Sequence, residues 1–170
     1  MNLADKIRNI SDFPKEGIEF KDITTLLKDV DAFQEAITKL AQEYEGKEID
    51  YIIGIEARGF LLGAPLALEL NKGFIPVRKE GKLPAEKLKK EYDLEYGSNV
   101  IEIHKDAFNQ GDKILIVDDL LATGGTAKAT VELVEDLGGE VVGVGFLLEL
   151  DFLDGRDKLA GYDVCSLIIE

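Results

Sequence analysis

Apolar positions along this chain fall into two alternating rhythms. Between Asp31 and Gly46, in "DAFQEAITKLAQEYEG", the residues Phe33, Ile37, Leu40 and Tyr44 recur every three or four places. That period predicts one stripe of a helix, with Asp31 as its cap and Gly46 as its stop. The rhythm then changes. "YIIGI" is a short continuous apolar run of buried-strand length, followed by "GFLLGAPLALEL", which reads as a helix. "GFIPV", "SNVIEIH" and "KILIV" predict three more strands, "TAKATVELVEDLGG" a helix closing on glycines, and "VVGVGFLLEL" and "VCSLIIE" two later strands. Ahead of all these, "LADKIRNI" reads as a short amphipathic helix and "SDFPKEGIEFKDIT" as a turn-rich segment around Pro14 and Gly17. Apolar strands alternating with helices predict an α/β fold, a mostly parallel sheet covered on both faces, with ligands gathered at the carboxyl ends of its strands.

Composition narrows this to one globular domain over residues 1–170. The chain is 45% apolar with four prolines, and no repeat, low-complexity tract or linker divides it. No apolar run approaches the roughly 18 residues of a membrane span. The opening "MNLADKIRNISDF" lacks both the apolar centre of a signal peptide and the acid-poor profile of a transit peptide, so a cytoplasmic protein is expected. The lone Cys165, in an apolar run, reads as a buried core thiol, and the lone His104 as a surface histidine at a strand end. Together they make no zinc-type cluster.

A net charge of −14 argues against nucleic acid or an anionic membrane as partner, since both need a positive face. Within this acidic chain lies a basic island, "RKEGKLPAEKLKK", from Arg78 to Lys90. Two readings of it stand: a solvated lysine face, or a site for a small polyanion.

The chemistry concentrates in two strand-to-helix connections. One is "EARG", Glu56 to Gly59; the other is "DDLLATGGT", Asp118 to Thr126, taken as a loop after the strand "KILIV". A helix N-terminus offers unpaired N–H groups and a partial positive charge, and glycines let backbone close around an oxyanion. Thr123 and Thr126 add hydroxyl donors. "ATGGT" therefore reads either as a tight turn or as a phosphate cradle, though not of the G-x-x-x-x-G-K-[ST] kind. Asp118 and Asp119 would repel a phosphate directly. Their partners are instead sugar hydroxyls or a hard cation such as Mg²⁺, and a ribose 5-phosphate unit presents hydroxyls and phosphate at about the required spacing.

"ILIVDDLLATGGT" resembles the phosphoribosyl-pyrophosphate signature of the type I phosphoribosyltransferases, and its "LLATGGT" ending is similar to that of the adenine-using members. "DFPKEGIEFKDIT", "GIEARGFLLGAPLA", "PVRKEGKLP", "YDLEYG" and "LLEL" agree with that family in order and spacing, from about Asp12 to Leu150. The resemblance implies purine salvage: adenine and phosphoribosyl pyrophosphate give AMP and pyrophosphate through an oxocarbenium-like transition state, with Mg²⁺ as cofactor and a homodimer as the working unit. It also implies an N-terminal hood over about residues 1–30 and a mobile lid over about 81–97.

Residue by residue, the resemblance places the ribose hydroxyls on Asp118 and Asp119, and the 5′-phosphate on Ala122, Thr123, Gly124, Gly125 and Thr126. Glu56, Ala57 and Arg58 match the pyrophosphate loop, where a cis peptide between the first two is common. Lys79 and Lys82 match pyrophosphate contacts, and Arg78 an arginine that reaches a neighbouring subunit. No protein group is implied as a direct metal ligand; Mg²⁺ is held mainly by substrate, with Asp118 and Asp119 nearby. Glu95 and Tyr96 match the pair that closes over the reaction centre, Glu95 managing the proton on adenine N7. Adenine is expected against Glu19, Phe20 and Lys21 of the hood and against Leu150. Here Glu16 and Lys21 stand where many members have proline and arginine, and lysine lacks the planar fork of a guanidinium. A transferase for another base, or a regulator that has kept the site without catalysis, remains as an alternative. A receiver domain, which carries its acidic pair early, is a weaker rival, because few residues follow Asp118 and "ATGGT" would have no role in it.

Overall fold

The computed structural model describes residues 1–94 and 97–170. Strands β1 (Arg8–Ile10) and β2 (Phe20–Asp22) form a small antiparallel ribbon, followed by α1 (Thr24–Leu27) and α2 (Val30–Glu43). Next come β3 (Tyr51–Ile55), α3 (Arg58–Glu69), β4 (Gly73–Lys79), β5 (Lys87–Leu94), β6 (Gly97–His104), β7 (Lys113–Leu121), α4 (Gly125–Asp136), β8 (Glu140–Glu149) and β9 (Val164–Ile169). The main sheet has the order β5-β6-β4-β3-β7-β8-β9. It is parallel from β4 through β9, while β6 runs antiparallel to both β4 and β5.

The strand pleat sorts the apolar runs onto the two faces. On one face Ile52, Leu115, Val117 and Leu147 pack beneath α2 and α3 through Leu40, Leu62 and Leu66. On the other, Ile53, Ile114, Ile116 and Phe146 meet Ala127, Val131 and Val134 of α4. Because β3 and β7 are neighbours and each is followed by a helix start, their carboxyl ends bring "EARG" and "ATGGT" side by side.

Six local expectations are corrected. "LADKIRNI" is a 3₁₀ turn, Leu3–Lys6, that gives way to β1, because Arg8 to Ile10 find ladder partners in Asp22 to Phe20. The α2 helix starts two residues earlier than read: Asp29, whose carboxylate accepts from the Ala32 N–H at 3.2 Å, is its cap, and Asp31 lies inside the first turn. β7 does not stop at Val117. It runs through both aspartates to Leu121, still paired with β8, so the loop proper begins at Ala122. The lysine-rich stretch runs from the end of β4 into the first half of β5, which is held by β6. Cys165 is only half-buried, and His104 is half-buried too, its Nε2 accepting from the Ala85 N–H at 3.4 Å.

Candidate active site

The "EARG" connection is built where β3 ends. The Glu56–Ala57 peptide is cis, and Arg58 opens α3 directly after it. The Glu56 carboxylate does not face a ligand alone: its Oε2 accepts from the Lys79 backbone N–H at 2.8 Å and from Arg78 Nε at 3.3 Å. Burial alone would raise this carboxyl, but the Lys79 amide and the Arg78 guanidinium outweigh it and hold its pKa below the ordinary value. Glu56 therefore ties the end of β3 to the end of β4, and Arg78 is paired within its own chain.

Arg58 joins three elements. Its Nε stands 3.0 Å from Asp119 Oδ2, its Nη1 donates to the Lys21 carbonyl at 3.4 Å, and its guanidinium lies 5.2 Å from the centre of the Phe20 ring. The Asp119 contact is a charge contact without hydrogen-bond geometry, which leaves Oδ2 buried and unpartnered. Gly59 makes the close approach possible, since a Cβ there would come within 2.9 Å of Asp118 Oδ1.

Asp118 and Asp119 sit on adjacent strand positions and stay in contact, Asp118 Oδ1 accepting from the Asp119 backbone N–H at 2.9 Å. Burial raises the pKa of each carboxyl; the neighbouring Asp119 charge pushes Asp118 up further, whereas Arg58 draws Asp119 partly back. Two acids held this way favour incoming hydrogen-bond donors or a cation.

Two cavities meet at this pair. The larger, about 710 Å³, is lined by Glu56, Ala57, Arg58, Arg78 and Lys79, by Glu91, Tyr92 and Ser98 to Ile101, and by Asp118 and Asp119. The smaller, about 80 Å³, is enclosed by Leu121 to Ala127. Asp118, Leu120 and Thr126 line both. At the small cavity Gly124 takes φ +85° and caps α4, whose first-turn amides have no intrahelical acceptors. An 80 Å³ pocket of amides and hydroxyls at a helix N-terminus suits one tetrahedral oxyanion.

Not every expected residue converges here. Lys82 is exposed and lines neither cavity. Glu19, Phe20, Lys21 and Leu150 also lie outside both; Phe20 reaches the site through Arg58, and Leu150 follows β8 at the rim, its N–H bonded to the Leu121 carbonyl at 2.9 Å. Lys21 is 8% exposed, its ammonium turned to Glu170 and to Asn9 Oδ1 at 3.0 Å. Within the basic island, Lys87 donates to the Leu83 carbonyl, Lys89 pairs with Glu80 and Glu102, and Lys90 with Asp136. With Arg78, which Glu56 holds, four of the six basic side chains in the island are committed within the chain. Glu95 and Tyr96 lie outside the described residues.

Two residues of the site were missed. Tyr92 reaches Thr126, and Gly155 packs under the small cavity, where a Cβ would come within 2.2 Å of the Ala122 carbonyl oxygen. The quoted "YDLEYG" contains the tyrosine, but nothing in the sequence distinguishes it; "LDGRD" signals only a turn.

Among the described residues, no group of three or more His, Cys, Asp or Glu could hold a metal, and no helix is long and apolar enough to cross a membrane.

Comparison with known proteins points one way. Residues 23–165 match the family described as "Phosphoribosyl transferase domain". The chain is 64% identical over 170 residues to the adenine phosphoribosyltransferase of Halothermothrix orenii, covering 100% of both. It superimposes on the crystal structure of adenine phosphoribosyltransferase from Thermoanaerobacter pseudethanolicus with a TM-score of 0.96 and 60% identity, over 99% of this chain and 98% of that one. The Saccharomyces cerevisiae adenine phosphoribosyltransferase, complexed with an imino-altritol bisphosphate and adenine, aligns with a TM-score of 0.91 and 44% identity, over 97% and 96% of the two chains.

Proposed function

The chain belongs to the phosphoribosyl transferase family, and on that premise we propose how its residues carry the purine-salvage reaction, transfer of the 5-phosphoribosyl group from phosphoribosyl pyrophosphate to N9 of adenine. The observation that carries the proposal is the junction of the two cavities. The small one seats a phosphate, the large one extends past two carboxylates to cationic side chains, and Asp118 and Thr126 stand where they meet. A ribose carrying a 5′-phosphate at one end and pyrophosphate at the other matches that sequence of environments.

In this reading Ala122 to Thr126 bind the 5′-phosphate, and Asp118 and Asp119 accept from the ribose 2′ and 3′ hydroxyls. Glu56 holds Arg78 and the Lys79 amide in place, while Arg58 and Lys79 face the pyrophosphate. The leaving group develops negative charge as its bond to C1′ breaks, so fixed cationic and N–H groups around it stabilise the transition state more than the ground state. Arg58 leaves Asp119 for the pyrophosphate when the ribose hydroxyls take over that carboxylate. Adenine lies towards Phe20, above Leu150. The buried Lys21 ammonium acts beneath the hood, and its carbonyl holds Arg58; Glu19, 3.6 Å from that ammonium, offers its backbone at the hood's edge.

Mg²⁺ fits the donor set, because Asp119 Oδ2 is a buried carboxylate oxygen without a donor and Asp118 lies beside it. Bound mainly by substrate, with these two carboxylates nearby, Mg²⁺ would neutralise charge on the departing pyrophosphate. Residues 81–97 are assigned as the segment that covers the site, Lys82 joining the pyrophosphate when it does so. Glu95 is assigned, with Tyr96 beside it, to the proton on N7; this rests on the resemblance alone. Glu95→Gln is expected to lower kcat at nearly constant KM, and a pure KM effect would assign it to shaping the cover.

The test of the whole is to supply phosphoribosyl pyrophosphate and Mg²⁺ with adenine, hypoxanthine, guanine or orotate in turn. Nucleotide is expected from adenine. Product from another base alone would move the specificity, and binding without product from any would favour a regulator.

We propose a homodimer through the apolar groove of α3. Phe33, Phe60, Leu61, Pro65 and Leu68 line it, Leu61 and Leu68 being 46% and 83% exposed. The groove lies on the helix that Arg58 opens, so a second copy there would sit beside the pyrophosphate loop and within the family's pattern for Arg78. Leu61→Glu with Leu68→Glu places unpaired charge in that contact. The variant is expected to sediment as a monomer at micromolar concentration, and an unchanged dimer would reject this face.

A further inference from the structure

Thr126, in the first turn of α4, borders both cavities, and its hydroxyl is not free: without a ligand Oγ1 donates to the Tyr92 phenol oxygen at 3.0 Å. Tyr92 comes from β5, opposite Asn99 of β6. Its ring lies along the start of α4, where a Cβ at Gly125 would sit in ordinary contact, 3.5 Å from the ring edge. One residue-pair further along β5, Lys90 pairs with Asp136 at 2.8 Å near the other end of α4. Strand β5 is therefore fastened to α4 at both ends of the helix, and Tyr92 is the fastening on the cavity side.

Each hydroxyl has one proton to donate and two lone pairs to accept with. Phosphate is acceptor-only in its dianionic form, so Thr126 can bind it only by turning its proton toward it. A lone pair of Thr126 is then open to a donor, and Tyr92 is the group already at hydrogen-bond distance. We propose that Tyr92 is a positioning residue for the phosphorylated sugar: it donates to Thr126 Oγ1 and so holds that hydroxyl with its proton directed at the 5′-phosphate. This rests on reading Ala122 to Thr126 as the seat of that phosphate. The consequence is selective. A chain of aligned donors strengthens each link in it, and only the phosphate at the end of this chain gains; the pyrophosphate, bound by Arg58 and Lys79, does not.

Tyr92→Phe keeps the ring on α4 and removes only the donor. Ribose 5-phosphate and inorganic pyrophosphate, titrated separately by calorimetry, distinguish the roles. The variant is expected to bind ribose 5-phosphate about 5- to 10-fold more weakly, the size of one lost hydrogen bond, with pyrophosphate affinity unchanged. In a Thr126→Val background the same change is expected to have no further effect on ribose 5-phosphate, because the link it completes is gone. Equal weakening of both ligands, or an undiminished Tyr92→Phe effect in the Thr126→Val protein, would overturn the proposal in favour of a general structural role. Unaltered ribose 5-phosphate affinity in Tyr92→Phe would overturn it while leaving the cradle in place. Failure of the unsubstituted protein to bind ribose 5-phosphate at all would instead reject the cradle reading, and the role of Tyr92 with it.

Discussion

Replacing Asp118 and Asp119 together by asparagine is expected to give a protein that is more stable and binds phosphoribosyl pyrophosphate far less well. Both effects come from the raised carboxyl pKa values. Burial and mutual repulsion push Asp118 well above the ordinary 3.8, and burial raises Asp119 despite Arg58. Between the unfolded value near 3.8 and the raised folded values, the folded chain binds more protons than the unfolded one. Stability therefore falls as pH rises through that window, and above it the full cost of the ionised pair remains. Asparagine carries no such charge. The double variant should melt higher than the parent at pH 8, with the difference shrinking as pH is lowered through the window. Binding changes in the opposite sense. A hydroxyl donating to a carboxylate is worth about 1–1.5 kcal/mol more than one donating to an amide oxygen, so two such contacts amount to a roughly 30- to 150-fold rise in KM for phosphoribosyl pyrophosphate. Calorimetric melting across pH and steady-state kinetics on one preparation check both halves. A lower melting point at pH 8 would show that the pair stabilises the ligand-free fold, and an unchanged KM would remove the ribose from these residues.

At the same two residues the sequence suggests one thing and conceals another. The chemistry proposed for them was legible, because carboxylates ahead of a glycine-threonine turn call for hydroxyls on one side and an anion on the other. Their backbone was not. Charge at Asp118 ends an apolar run, so the strand seemed to end there, yet the β8 ladder carries β7 on to Leu121. Strand β5 was hidden for a related reason. "KLKKEYDL" alternates only imperfectly, Lys90 interrupting the face that Leu88 and Tyr92 turn to the core, and its strand form depends on β6, with Lys89 reaching the buried Glu102 across the ladder. The central strands were readable because burial on both faces demands continuous apolar runs. Edge elements and the N-terminal ribbon take their form from the strands they pair with, not from apolar runs of their own. Arg58 is intermediate. Its place at a helix start followed from "EARG", but its contacts with Phe20 and the Lys21 carbonyl arise only when the N-terminal ribbon folds over α3.

Gly155→Ala should do to the phosphate seat what the asparagine changes do to the ribose contacts, from a residue with no polar group to offer. Gly124 and Gly155 touch backbone to backbone. A Cβ on Gly155 would stand 2.2 Å from the Ala122 carbonyl oxygen and 3.1 Å from the Gly124 nitrogen, and one on Gly124 would stand 2.4 Å from the Gly155 oxygen. These obstacles are main chain, so no side-chain rotation relieves them, and Ala122 and Gly124 belong to the cradle itself. Overpacking of this kind costs about 1–3 kcal/mol, and the segment that yields is the loop between β7 and α4. Unlike Gly124, Gly155 does not have a positive φ, so alanine there acts by contact and not by backbone preference. A loss of seat geometry worth that much corresponds to a KM for phosphoribosyl pyrophosphate raised roughly 5- to 150-fold, while affinity for free pyrophosphate stays at the parent value. Gly161→Ala is the control: φ is +91° with nothing within 4 Å of the added carbon, so it should lower the melting temperature through backbone strain and leave both ligands unaffected. If Gly155→Ala instead weakens pyrophosphate as much as phosphoribosyl pyrophosphate, the displaced loop is not a dedicated phosphate seat, and the division of the site into two cavities with separate tasks fails with it.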